Sequence, residues 1–287
     1  MRPMFDADSA SDSALQRSHG AARLGFARRG GRSRIVARYA AAPARILTPS
    51  VYGSAPEAVL ANTSGGVAGG DSMRIDVSVE AGAEGVAVGQ AAERIYRALD
   101  APATVETDLR VGPGGSLQWL PQETILFDGA MLNRRISVDL AADARLLLAE
   151  MVVFGRKAHG ERFGSGLFHD FWRIDRAGRP LWRERTQVTG GDGSETAMLG
   201  FDGRRALASV IVADPDGARL VEPVRDLLAD LPAPDFISGA SFRRGLLICR
   251  MLSDDAGPLK RALAAIVGHL RALAFDGPAT PPRVWQC

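Results

Sequence analysis

The chain reads as a mainly β protein of layered antiparallel or solenoid-like β-sheets, with two short-to-medium helices toward the C-terminus. Three observations predict this. Apolar and polar residues alternate strictly in several windows, which is the period of a half-buried strand. The connections between those windows are short and glycine-rich, as in Gly112-Pro113-Gly114-Gly115. They leave no room for crossover helices before residue 213, so a βαβ arrangement is disfavoured. Helical periodicity appears only after that point.

Taken in order, residues 1–20 are polar and small, carry Asp6, Asp8 and Asp12, and lack an apolar core segment. They are expected to be a flexible leader and not a secretory signal. Residues 21–287 are expected to form one domain, because no linker composition interrupts them. From Arg74 to Glu80, Ile75, Val77 and Val79 face one way while Arg74, Asp76, Ser78 and Glu80 face the other. Val105 to Val111 and Arg135 to Leu140 repeat the pattern. Leu146 to Phe154 is apolar except near Glu150, which predicts a strand covered on both faces. Phe168–Asp175 and Leu181–Val188 flank Arg176-Ala177-Gly178-Arg179-Pro180, a hairpin signature. Ala206–Val212 and Leu246–Leu252 are further strands.

The first predicted helix is Pro223–Leu231, with the proline suited to a first turn. The second begins near Pro258, where Leu259, Ala262, Leu263, Ile266, Val267, Leu270 and Leu273 hold the helical period. Arg271 near its end suits the negative pole of the helix dipole. Beyond strand alternation, no fixed-period repeat is visible.

Apolar content of 46% and charged content of 24% fit a soluble globular chain. A formal net charge of +2 is too even for a dedicated nucleic-acid binder. No run of 18 apolar residues offers a membrane-spanning helix. Lys157 and Lys260 are the only lysines among 35 basic residues; the arginine bias reflects either codon usage or a preference for bidentate carboxylate contacts. Cys249 and Cys287 cannot build a disulfide framework, and a reducing, cytoplasmic compartment is expected. Cys249, within an apolar run, reads as a buried, inert thiol.

No known catalytic motif is present. The histidines His19, His159, His169 and His269 have no zinc spacing; His159 with Glu161, and His169 with Asp170, are the nearest groupings. Cys287 brings a thiol beside the α-carboxylate, either a chelating pair or an end without a role. No Gly-x-Ser-x-Gly elbow exists. The glycine-rich loop Ser64–Asp71 ends in a carboxylate, which repels phosphate, so it reads as a tight turn where backbone approaches closely. Acids are the remaining candidates. Glu123 and Asp128 bracket the apolar run of Leu120-Pro121-Gln122-Glu123-Thr124-Ile125-Leu126-Phe127-Asp128-Gly129-Ala130. They are either a glycosidase-type acid pair or charges that block edge aggregation. Glu150 interrupts an apolar run and needs a partner, with Arg156 or Arg145 the nearest candidates.

Five ordered blocks resemble the urease accessory protein D family (UreD, also UreH). They are Asn62-Thr63-Ser64-Gly65-Gly66 with Gly69-Gly70-Asp71, then Gln90 to Arg97, then Leu120 to Ala130. Glu150 with Gly155-Arg156-Lys157-Ala158-His159-Gly160-Glu161 follows, and Pro282-Arg283-Val284-Trp285 closes the series. The stretch from Ser253 onward is only loosely similar, and Cys287 departs from the family's pattern. The resemblance implies a mostly β fold and a non-enzyme. It implies a scaffold that binds apo-urease and an F-type accessory protein, and through that protein a G-type GTPase, for GTP-dependent nickel insertion. It further implies an internal polar passage for nickel(II), with no tightly bound cofactor. Asp71, Glu123, Asp128, Glu150 and Glu161, which lie in or beside the matched blocks, are the expected transient nickel route. No nucleic acid and no membrane are expected as partners.

Overall fold

The computed structural model describes residues 16–50, 55–190, 203–231 and 236–286. An N-terminal hairpin, β1 (His19–Arg29) and β2 (Arg32–Ala41), leads into β3 (Ala44–Leu47) and β4 (Glu57–Asn62). Solenoid coils follow. The first is β5 (Ser72–Val79), β6 (Glu84–Gly89) and β7 (Glu93–Ile95); the second is β8 (Ala103–Val111), β9 (Ser116–Leu120) and β10 (Thr124–Leu126). The third is β11 (Met131–Leu140) and β12 (Arg145–Phe154). The hairpin β13 (Leu167–Arg176) and β14 (Arg179–Thr189) comes next. Then come β15 (Ala206–Ala213), α1 (Val221–Asp230), β16 (Phe236–Arg243), β17 (Leu246–Ser253) and α2 (Ala256–Ala274).

A strand with one apolar face cannot bury it alone, and stacking coils solves this. Val77, Leu109 and Val138 lie side by side across parallel β5, β8 and β11. The corners stack too: the Gly112 N–H donates to the Val79 carbonyl and the Ala141 N–H to that of Val111, at 2.8 and 2.9 Å. A repeat is therefore present where the sequence showed none, because the coils differ in length and composition while their backbone ladders match. The result is a seven-stranded sheet of order β14-β13-β11-β8-β5-β1-β2 and a ten-stranded one. The latter runs β16-β17-β15-β12-β9-β6-β4-β3, with β10 pairing β12 and β7 pairing β10. Pairing is parallel within the coils and antiparallel at the flanks.

The core has two main layers. Leu24, Phe26, Val77, Leu109 and Ile136 meet Leu117, Leu146 and Leu148 between the sheets. Leu147, Ala149 and Met151 face the other way, onto Leu259, Leu263 and Ile266 of α2. β12 is thus covered on both faces, as its apolar run predicts. A third, smaller cluster holds Ile95, Leu126, Phe154 and Phe168.

Every predicted strand and both helices are present. Asp255 caps α2 by accepting from the Gly257 N–H at 2.9 Å. Cys249 is buried, and burial pushes its thiol up to about 12. Arg271 stands in the last turn of α2, as its dipole reading expects; it is also buried, 4% exposed, and donates to Gln118 Oε1 at 2.9 Å and to the Thr280 carbonyl. One boundary needs correction. His19 and Gly20, expected in the leader, already belong to β1. Residues 1–15 and Cys287, with its supposed chelation, lie outside the described residues.

Candidate functional site

Glu150 lies on the β12 face that carries Leu146 and Leu148, so its side chain enters the space between the sheets. It is 5% exposed. Such a carboxylate needs donors, and two reach it. Trp119 Nε1 donates to Oε1 at 2.9 Å and Arg134 Nη1 to Oε2 at 2.8 Å. The partner is therefore Arg134 across the core, not Arg145 or Arg156. Arg134 also forms a bidentate pair with Asp170, Nε to Oδ1 at 2.9 Å and Nη2 to Oδ2 at 2.6 Å. Trp172 Nε1 donates to Asp170 Oδ2 at 2.9 Å. One guanidinium thus serves two carboxylates, all buried. Burial works against the Arg134 charge, but Asp170 and Glu150 together hold its pKa above the ordinary value. The second carboxylate has only a share of that cation, and burial pushes Glu150 up despite the Arg134 charge and the Trp119 bond.

Trp119, Arg134 and Glu150 of this cluster line a cavity of about 260 Å³. The opposite rim is built from residues distant in sequence. Asn62 ends β4 and folds the following loop over it: its Oδ1 accepts from the Ser64 N–H at 3.0 Å and its Nδ2 donates to the Gly66 carbonyl at 3.1 Å. A Cβ on Gly66 would sit 2.5 Å from the Tyr96 ring, so the close approach expected of this loop is real. The same Asn62 Nδ2 donates to Glu93 Oε1 at 3.0 Å. Burial pushes the Glu93 carboxyl up, against the Asn62 bond. Gln122 Nε2 donates to the Val284 carbonyl at 3.1 Å, while its Oε1 is buried without a partner among the described residues. Glu93 and Glu150 are the carboxylates lining this cavity.

The other expected route residues are held elsewhere. Asp71 closes its own turn, accepting from the Ser18 and Ala68 N–H groups at 2.8 and 2.9 Å. Glu123 pairs with Lys260 of α2 at 2.9 Å. Asp128 accepts from the Ser165 N–H at 2.8 Å and pairs with Arg97 at 3.1 Å. Glu161 binds Arg156 and accepts from the Asp128 N–H. Asp128 and Glu161 are thus brought together, in a surface knot completed by Arg156 over the Phe127 ring at 3.9 Å. Neither Glu123 nor Asp128 lines the cavity, so the glycosidase-type pair is not supported. Among the described residues no three His, Cys, Asp or Glu side chains group to hold a metal ion.

Sequence reasoning missed Asn62, Glu93, Gln122 and Arg134 as site residues. A signal existed for three of them: Asn62, Glu93 and Gln122 sit in three separate motif blocks, and the fold brings those blocks to one rim. The C-terminal block joins them, with Trp285 Nε1 donating to the Leu120 carbonyl at 3.1 Å. Arg134 stands in an ordinary strand pattern and carried no signal.

With this geometry in hand, the comparisons are specific. The family described as UreD urease accessory protein matches residues 18–286. The chain is 43% identical over 276 residues to a protein named urease accessory protein UreD 1 from Methylobacterium radiotolerans, covering 95% of this chain and 93% of that one. It is 44% identical to a urease accessory protein UreD 2 from Methylorubrum populi, covering 94% and 91%. A urease accessory protein UreD from Magnetococcus marinus is 37% identical, with 93% of each chain covered.

Proposed function

The chain belongs to the UreD urease accessory protein family, and from that premise we propose that it is a maturation scaffold carrying a passage for nickel. It binds apo-urease, recruits an F-type accessory protein and, through it, a G-type GTPase, and turns over no substrate itself. It works in the cytoplasm; no helix among the described residues is long and apolar enough to cross a membrane. Nickel(II) is cargo. The observation that carries the reading is the convergence of separated motif blocks on one cavity whose largely apolar lining includes Glu93, Gln122 and Glu150. Two carboxylates and an unpartnered amide oxygen suit a borderline divalent ion. The absence of a closed ligand cage among the described residues suits release over storage. Burial raises both carboxyls because it penalises their charged form, the form that a bound cation favours. Asp71, Glu123, Asp128 and Glu161 are held in turns and ion pairs outside the cavity lining, and the proposed route narrows to Glu93 and Glu150.

The test is co-expression of urease and its accessory proteins with Glu93→Gln and Glu150→Gln forms of this chain. The metal content of purified urease and recovery of the accessory complex are both measured. We expect intact complexes and urease with at least about fivefold less nickel. Unchanged nickel in both variants removes the passage. Unchanged nickel when the chain is omitted removes the maturation role.

A further inference from the structure

The +2 net charge hides a strong local asymmetry. Residues 16–50 contain eight arginines and no Asp, Glu or Lys. They form β1, β2 and β3, so the excess lies on one flank, with β2 at the edge of the seven-stranded sheet. Arg23 and Arg29 have carboxylates within ion-pair distance, Asp76 at 3.8 Å and Glu80 at 3.1 Å. Among the described residues no carboxylate pairs with Arg32, Arg34, Arg38 or Arg45, and all four are exposed. On the adjacent β5, by contrast, Arg74 is matched, reaching Asp76, Glu106 and Asp108 at 3.2, 3.1 and 2.8 Å.

Apolar groups lie among these charges. Val36, Tyr39 and Leu47 are 45%, 55% and 50% exposed, and Arg23 lies over the Tyr39 ring at 5.9 Å. At the far end of the hairpin, Arg28, Arg32 and Arg34 line a cleft of about 780 Å³ with the buried Arg271; Glu84 and Asp276 also line it and are outnumbered. Arginine and tyrosine around an aliphatic centre is the anatomy of a protein interface. Bare polyanion binding needs no Val36 or Leu47 in the middle. We propose that the β1–β3 flank docks a partner polypeptide through an acidic segment with an apolar centre. Guanidinium–carboxylate pairs fix its register, and one acidic side chain enters the Arg28–Arg34 cleft. The proposal rests on the scaffold reading only in expecting a protein partner.

The test uses the full chain co-expressed with urease and its accessory proteins, carrying a photo-crosslinking phenylalanine analogue at Val36 or Tyr39, and at the distant, 72% exposed Leu99 as a control. A second arm uses Arg32→Glu/Arg34→Glu/Arg38→Glu, whose exposed positions leave folding intact as judged by thermal melting. The expected result is a crosslink from both flank positions, not from Leu99, to one partner polypeptide at a net-negative segment. The triple variant should lower recovery of that partner at least about fivefold. Crosslinks to nucleic acid, to a second copy or to the chain's own residues 1–15 would overturn the proposal, as would unchanged recovery by the triple variant. If the wild-type chain recovers no partner and urease matures without it, the scaffold reading fails instead, and separately.

Discussion

At the residue scale, Arg134 decides whether the interior is tolerable. Among the described residues it is the one cation satisfying Glu150 and Asp170, both buried. Replacing it with Met keeps the stem volume and leaves two uncompensated carboxylates. Arg134→Met should therefore cost about 3–5 kcal/mol, read as a lower urea midpoint. Glu150→Gln should cost far less, because the amide oxygen still accepts from Trp119 or Arg134 while the negative charge is gone. A large loss of stability in Glu150→Gln would show that the charge itself holds the sheets together. The sequence showed that Glu150 needs a partner but offered only its chain neighbours. The true one comes from β11 because β11 and β12 lie in facing sheets, a relation that one-dimensional spacing does not contain.

At the element scale, the C-terminal segment behaves as a clasp. Trp285 is 8% exposed, and its ring N–H satisfies the Leu120 carbonyl at the end of β9. The neighbouring Val284 carbonyl holds Gln122 at the cavity rim. Trp285→Ala should remove about 3–5 kcal/mol of packing and leave that carbonyl unpaired. Thermal melting should show a lower midpoint, and Gln122 should lose its fixed orientation. The strands and helices themselves were readable because alternation and the 3.6-residue period are local. Other strands carry no such signal: β2 and β16 are exposed along most of their length, β6 and β9 are buried along most of theirs, and β3 and β7 are too short to show a period.

At the scale of the whole molecule, charge organises what the coils stack. A parallel sheet usually has both faces covered. Here the outer face of the seven-stranded sheet is laced by ion pairs instead, with Arg135 reaching Glu106 and Asp108, and Arg173 reaching Asp139 and Asp175. The interior has the opposite problem, since burial pushes the Glu57, Glu93 and Glu150 carboxyls above their ordinary 4.5. A carboxyl raised on folding binds more protons in the folded state, so stability rises as pH falls through the raised values toward 4.5. Asp128 and Asp254 behave oppositely. Burial works against their charge, but Ser165 and Lys157 respectively hold them below 3.8, and their contribution is lost as pH falls through those lower values. Urea midpoints against pH should thus rise as pH falls toward 4.5 and fall again below 3.8. Glu93→Gln should flatten the rise. A midpoint that falls steadily as pH approaches 4.5 from above would contradict the buried acids.

The sequence by itself determined the β class, the two late helices, the inert Cys249 and the motif blocks that mark the family. Each rests on local pattern or on residues that travel together along the chain. The tertiary structure alone decided that these blocks share one cavity and that Glu150 answers to Arg134. Those are relations between strands stacked tens of residues apart, set by coil lengths and backbone register. No local rule encodes such distances.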